Sequence, residues 1–203
     1  MQTILAGLLS LLLIVPKPAK TYTIPELIDR ARLSLVKVSY EVEQEGQIGM
    51  RYCAGFVINA ARGWAVTGGV NHCVPAGEDA VVYIDESYES HVIEANEQFA
   101  IVRIAPMSKP PVELRKGLPE LGEQIVSVGY GMGQFSALVR RVGMVKDLDI
   151  LIDGELIHGM SGGPALDEQG RVVGMNQATL PHEGAGVLCG SDEIRAFMKT
   201  VKG

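Results

Sequence analysis

The chain is poor in the features that would assign it to several large classes at once. It has 3 cysteines in 203 residues, too few for the multi-bridge framework that staples small secreted domains. Aromatics make up 5% of the residues, and there is a single tryptophan, so no run of aromatic side chains offers a stacking platform for bases. Basic residues are outnumbered 18 to 24, the net charge is -6, and no overall field draws the chain toward a phosphate backbone, which excludes nucleic acid as an expected partner. Beyond residue 15 no apolar run approaches the roughly 20 residues a bilayer crossing needs.

What is present begins with MQTILAGLLSLLLIVPKPAK, in which an apolar stretch from Ile4 to Val15 is followed by a Pro/Lys segment. Its length suits the core of a signal peptide, residues 1–20 being either a cleaved leader or a short hydrophobic anchor, or else a buried or interfacial helix. The expected location is secreted or periplasmic, with the membrane involved only through such an anchor. Thr23 and Glu26 have capping-box spacing and predict a short helix through about Leu33. From Val36 the pattern changes to short Val- and Ile-rich runs, VKVSY, AGFVI, WAVTG, AVVYI, FAIVRI, QIVSVGYG, LVRRVGMV, DILID, RVVGMN and GAGVLC, separated by Gly, Pro and polar turns. These predict an all-β sandwich or barrel, because no helical pattern between them is long enough for parallel crossovers. The segment 107–117, MSKPPVELRKG, reads as a linker between two lobes, 21–106 and 118–203, and Ser191 to Met198 as a closing helix with acids at its start.

The chemical signal is Gly159-Met160-Ser161-Gly162-Gly163-Pro164. A serine flanked by glycines can be held in a tight turn with its hydroxyl exposed. The amides of Gly159 and Ser161 can then converge on one point and stabilise a developing oxyanion. The longer string GMSGGPALDEQGRVVGMN resembles the corresponding block of trypsin-like serine peptidases, in a form similar to the bacterial HtrA branch. GEQIVSVGYGMG with RRVGMV upstream, and GAGVLCGSDEIRAFM downstream, resemble the family's flanking strands and closing helix, so the likeness covers residues 35 to 200. It implies two six-stranded Greek-key β-barrels packed at right angles, with an active site between them and a peptide or protein as substrate. The same turn also fits the nucleophile elbow of α/β-hydrolases. That fold requires a parallel sheet with helices, and an acid and then a histidine after the serine; only about 40 residues follow Ser161, with His182 among them.

A serine needs a base, and the resemblance supplies one. Cys53 to Asn59 followed by Trp64 to Cys73 resembles the family segment that ends in a His-Cys pair, which implies His72 as general base and Cys53–Cys73 as a disulfide. Four residues rather than two separate Thr67 from His72, and an ungapped alignment places Val70 at the base position. The family's aspartate position holds Gln98, in QFAIVR. Glu97 is the nearest candidate acid, followed by Asp85 and Glu94. Glu155, six residues before Ser161, stands where the family carries the residue at the bottom of its specificity pocket. His91 reads as a solvent-facing strand residue, His158 as a cleft lining, His182 as an exposed turn and Cys189 as a small buried core residue. Two functions follow: a serine endopeptidase using Ser161 and His72, or a pseudo-peptidase that binds a peptide or partner in the same cleft without cutting.

Overall fold

The computed structural model describes residues 20–202 apart from 45, 78, 79 and 87. The leader expectation for residues 1–20 therefore falls almost entirely outside the described residues. Among them, no helix is long and apolar enough to cross a membrane.

Helix α1 (Ile24–Ser34) starts where the capping box predicts: the Glu26 carboxylate accepts the Thr23 amide at 2.8 Å and the Thr23 hydroxyl at 2.9 Å. It leads into β1 (Leu35–Gln44), which pairs along its whole length with β2 (Gln47–Asn59). Strands β3 (Trp64–Gly68), β4 (Val81–Ile84), β5 (Tyr88–Ala95) and β6 (Phe99–Arg103) complete a closed antiparallel barrel in the order β1-β2-β3-β6-β5-β4. The second barrel contains β7 (Gln124–Gly129), β8 (Ser136–Lys146), β9 (Asp149–Asp153), β10 (Pro164–Leu166), β11 (Val172–Leu180) and β12 (Ala185–Gly190). It closes in the order β10-β11-β12-β9-β8-β7, and α2 (Ser191–Met198) ends the fold. This is the two-barrel architecture that the resemblance implies.

Strand alternation divides the core into three parts. Val36, Val57, Ala65, Val82, Ala100 and Val102 fill the first barrel, while Ile125, Val142, Ile150, Ile152, Val173 and Leu188 fill the second. The opposite faces of the same strands meet in a third cluster between the barrels. Phe56, Val66, Phe99 and Ile101 from the first barrel meet Val126, Val128, Leu166 and Met175 from the second. The two helices seal this cluster with Leu27, Ala31, Ile194 and Phe197, and Phe99 stacks on Phe197 at 5.5 Å between ring centroids. Strand β3, and β6 from Phe99 to Val102, are thus buried on both faces, which is why neither shows an alternation of apolar with exposed polar residues.

The linker residues are tied to both sides. The Val112 amide donates to the Val57 carbonyl at 3.0 Å, and the Arg115 amide to the Val172 carbonyl at 2.9 Å. A buried charge group sits beside this crossing: the fully buried Asp167 accepts two hydrogen bonds from the Arg171 guanidinium, and Arg115 approaches it to 3.6 Å.

Candidate active site

The turn before β10 is held so that Ser161 points out of the second barrel. The Met160 amide donates to Ile157 O at 2.9 Å, the Gly162 amide to Asn176 O at 2.7 Å, and the Gly163 amide to Met160 O at 3.0 Å. The buried Asn176 carboxamide bonds Val128 O at 2.9 Å and Met160 O at 3.1 Å, tying the turn to β7. Gly159 and Gly162 both have positive φ, +93° and +83°. A Cβ at Gly159 would lie 2.4 Å from Tyr130 O, and one at Gly162 would lie 2.1 Å from Ala54 O, so both positions require glycine for conformation and for space. The Ala54 amide donates to Ser161 O at 2.8 Å and draws the serine's backbone against β2 of the first barrel. Among the described residues, the Gly159 and Ser161 amides donate to no protein acceptor, whereas those of Met160, Gly162 and Gly163 are committed.

The two extra residues between Thr67 and His72 form a compact turn. His72 and Cys73 amides both donate to Gly69 O, at 3.2 and 3.0 Å, and Asn71 takes a positive φ of 61°. Cys73 is disulfide-bonded to Cys53, as the resemblance implies. The bridge fixes the turn to β2, and the Arg51 guanidinium caps it through Asn71 O at 2.9 Å. Val70, the ungapped alternative to His72, packs with Val92 and Ala95 on the first barrel's core and lines no part of the serine's cleft.

His72 does line that cleft. It is a depression of about 550 Å³ that also takes in Met50, Tyr52, Met132, His158, Gly159 and Ser161. Two larger depressions, of about 710 and 910 Å³, contain neither Ser, Cys nor His, and the smaller cleft is the one with chemistry in it. The outer edge of the imidazole is exposed, but packing around it desolvates the charged form, and the Arg51 cation disfavours it further. Both hold its pKa below the ordinary imidazole value. The Ser161 hydroxyl donates to Gln177 O at 3.2 Å and makes no hydrogen bond to His72.

No described carboxylate forms an ion pair or hydrogen bond with His72. Gln98 turns its amide toward Cys189 Sγ at 3.2 Å. Glu97 is exposed at the tip of a turn in which Asn96 Oδ1 accepts the amides of Gln98 and Phe99 at 2.9 and 2.7 Å. Asp85 is engaged with the Lys37 amide and the Lys109 ammonium, and Glu94 is a half-buried residue of β5. Cys189 is fully buried, and desolvation pushes its thiol up to about 12, with Glu193 and Asp149 adding to the rise and Gln98 opposing it.

Glu155 is exposed, with its carbonyl accepting Arg140 Nη2 at 3.1 Å, and it does not line the serine's cleft. The next residue, Leu156, is the one that turns inward, locked by a reciprocal pair of bonds with the Thr179 hydroxyl at 3.0 and 3.2 Å. His91 and His182 are exposed. Sequence reasoning did not single out Arg51, Gln177 or Asn176. Asn176 stands inside the quoted glycine-rich block, but the other two act through backbone proximity that only folding creates.

Comparisons with known proteins bear on the family and the fold. A "Probable periplasmic serine endoprotease DegP-like" from Brucella suis biovar 1 is 31% identical over 150 residues, which is 66% of this chain and 29% of that protein. A "Probable serine protease do-like" from Buchnera aphidicola is 27% identical over 154 residues, 68% of this chain and 32% of that one. The chain thus spans about a third or less of the curated relatives it matches. Among solved structures, the active form of the Rv3671c protease from M. tuberculosis superposes with a TM-score of 0.72 at 20% identity, covering 93% of this chain and 95% of that one. A serine endoprotease from Yersinia pestis gives 0.71 at 16% identity, covering 92% and 67%. These two likenesses speak for the fold alone. The trypsin-like peptidase domain profile matches residues 53–175, more than half the chain and a span that holds both His72 and Ser161. By that match the chain belongs to the trypsin-like serine peptidase family.

Proposed function

We propose that the chain is a serine endopeptidase that works with a Ser161–His72 dyad. The carrying observation is that one cleft joins Ser161, two uncommitted amides in its turn, and an imidazole from the other barrel whose charged form is disfavoured by desolvation and by Arg51. In the reaction, the Ser161 hydroxyl leaves Gln177 O, His72 takes its proton, and Oγ attacks the peptide carbonyl carbon. The carbonyl oxygen becomes an oxyanion received by the Gly159 and Ser161 amides. His72 then gives the proton to the amine as the C–N bond breaks; a water deprotonated by His72 attacks the acyl carbon, and His72 returns that proton to Ser161 Oγ as the ester bond breaks and the acid leaves. Without a carboxylate behind the imidazole, turnover is expected to fall about 10⁴-fold below that of a complete triad. An exported location fits a disulfide-bonded fold and the word "periplasmic" in the relatives' names.

A second reading, peptide binding without cleavage, is favoured by two observations. The residue at the aspartate position is an amide turned toward Cys189, while the serine hydroxyl rests on a backbone carbonyl. A fluorophosphonate probe separates the two. Labelling of the wild type that disappears in both Ser161→Ala and His72→Ala supports the dyad, and a wild type that takes no label supports the binder.

A further inference from the structure

The turn that carries Ser161 rests on a neighbouring loop. The Met132 amide donates to the His158 carbonyl at 2.7 Å, just before Gly159, and the Tyr130 carbonyl is the atom that a Cβ on Gly159 would strike. That loop is a single 3-10 turn, Gly131–Gly133, with Met132 at a positive φ of 50° and 83% exposed. Its own side chains provide little to hold it in place.

A lysine from the other barrel reaches it. Lys37 of β1 is buried, with a side chain 10% exposed, and its ammonium donates to the Gly133 carbonyl at 3.0 Å while pairing with Glu86. Tyr52 lies 4.6 Å and Tyr130 5.9 Å from the ammonium, so aromatic faces supply part of the solvation lost on burial. The turn that presents Glu86 is clamped to the same residue. The Lys37 amide donates to Asp85 Oδ1 at 2.9 Å, and the Asp85 amide donates to Lys37 O at 2.9 Å. A buried ammonium is costly unless paired; Glu86 supplies the pairing from the same barrel, and the hydrogen bond to Gly133 O reaches the loop beneath the oxyanion turn of the other.

We infer that Lys37 is a positioning residue for the oxyanion site. Through Gly133 and Met132 it fixes the His158 carbonyl, and with it the direction of the Gly159 amide. This rests on the peptidase reading only for its kinetic consequence; the structural half stands independently. A displacement of about 1 Å in a catalytic donor is enough for a rate loss on the order of 100-fold.

The test compares wild type, Lys37→Met and Lys37→Arg by three measurements: second-order fluorophosphonate labelling of Ser161, amide hydrogen exchange at Met132, and thermal midpoint. Lys37→Met is expected to slow labelling by at least about tenfold and to speed Met132 exchange by a similar factor, with the protein still folded at the assay temperature. Lys37→Arg, which keeps a donor for Gly133 O, is expected to recover part of both. Labelling at the wild-type rate in Lys37→Met overturns the inference. If the wild type itself takes no label, the peptidase reading fails separately, and Met132 exchange decides: unchanged protection in Lys37→Met overturns the strut, and lost protection upholds it. A Lys37→Met protein that has unfolded is replaced by Glu86→Gln. That variant leaves the lysine in place but removes its charged partner, and it is expected to show the same exchange change at Met132 in weaker form, with unchanged exchange overturning the strut.

Discussion

At the scale of single residues, His72 has the most testable property. Desolvation first, and the Arg51 charge second, hold its pKa below the usual imidazole value. Between that lowered value and the ordinary one the unfolded chain holds more protons than the folded chain, so folding stability from this residue grows as pH rises through that window and is lost as pH falls through it. An NMR titration of the wild type is expected to place His72 below the ordinary imidazole value, and Arg51→Met is expected to move it upward by part of the difference. A His72 that titrates at or above that ordinary value would contradict the packing described. The same residue marks how far sequence reading goes. Ser161 and Gly159 stood out because their chemistry is written in adjacent letters, whereas the Cys53–Cys73 pairing, 20 residues apart, came from the family resemblance. The two-residue insertion before His72 left its place open until the Gly69–Val74 turn and the bridge to Cys53 placed it on the cleft. Gln98 and Glu155 were legible as positions but not as orientations. Whether an amide faces a histidine or a buried thiol depends on side-chain direction, which no spacing in the sequence encodes.

At the scale of elements, β3 and β6 serve two cores at once. Ala65, Ala100 and Val102 point into the first barrel, and Val66, Phe99 and Ile101 point into the cluster shared with the second. Ile101 is fully buried in that shared layer, so Ile101→Ala is expected to lower the unfolding free energy by about 2–5 kcal/mol in urea titrations, with both barrels melting together. Loss confined to the first barrel would show that the shared layer carries little coupling. Ten of the twelve strands were visible as separate Val/Ile-rich runs, and β5 as an alternating stretch. The three-residue β10 was not, because PAL follows the serine turn directly and is too short to show any period. Strand pairing order and barrel closure came from the resemblance and not from the pattern, since periodicity assigns a face to each residue but no partner to each strand.

At the scale of the whole molecule, one covalent link and one short crossing set how the parts stay together. The Cys53–Cys73 bridge closes a loop of 20 residues that spans β2, β3 and the His72 turn. The double variant Cys53→Ala/Cys73→Ala is expected to lose about 3 kcal/mol of stability, measured by denaturant unfolding against the oxidised protein. Its fluorophosphonate labelling is expected to fall further than stability alone requires, because His72 is the bridge's neighbour. Equal stability in the two proteins would mean that the turn is held by Gly69 and Arg51 alone.

The double duty of β3 and β6 has a consequence for how the chain can be divided. Severed within 107–117, each half would carry a greasy wall made for the other, and neither should exist in solution as an independent species. Expressed singly, both fragments are expected in the insoluble fraction. Produced together, they are expected to elute as one non-covalent pair in size-exclusion chromatography. Fragments that stay soluble and monomeric apart would mean that each lobe matures on its own and that the seam between them is only an afterthought of assembly.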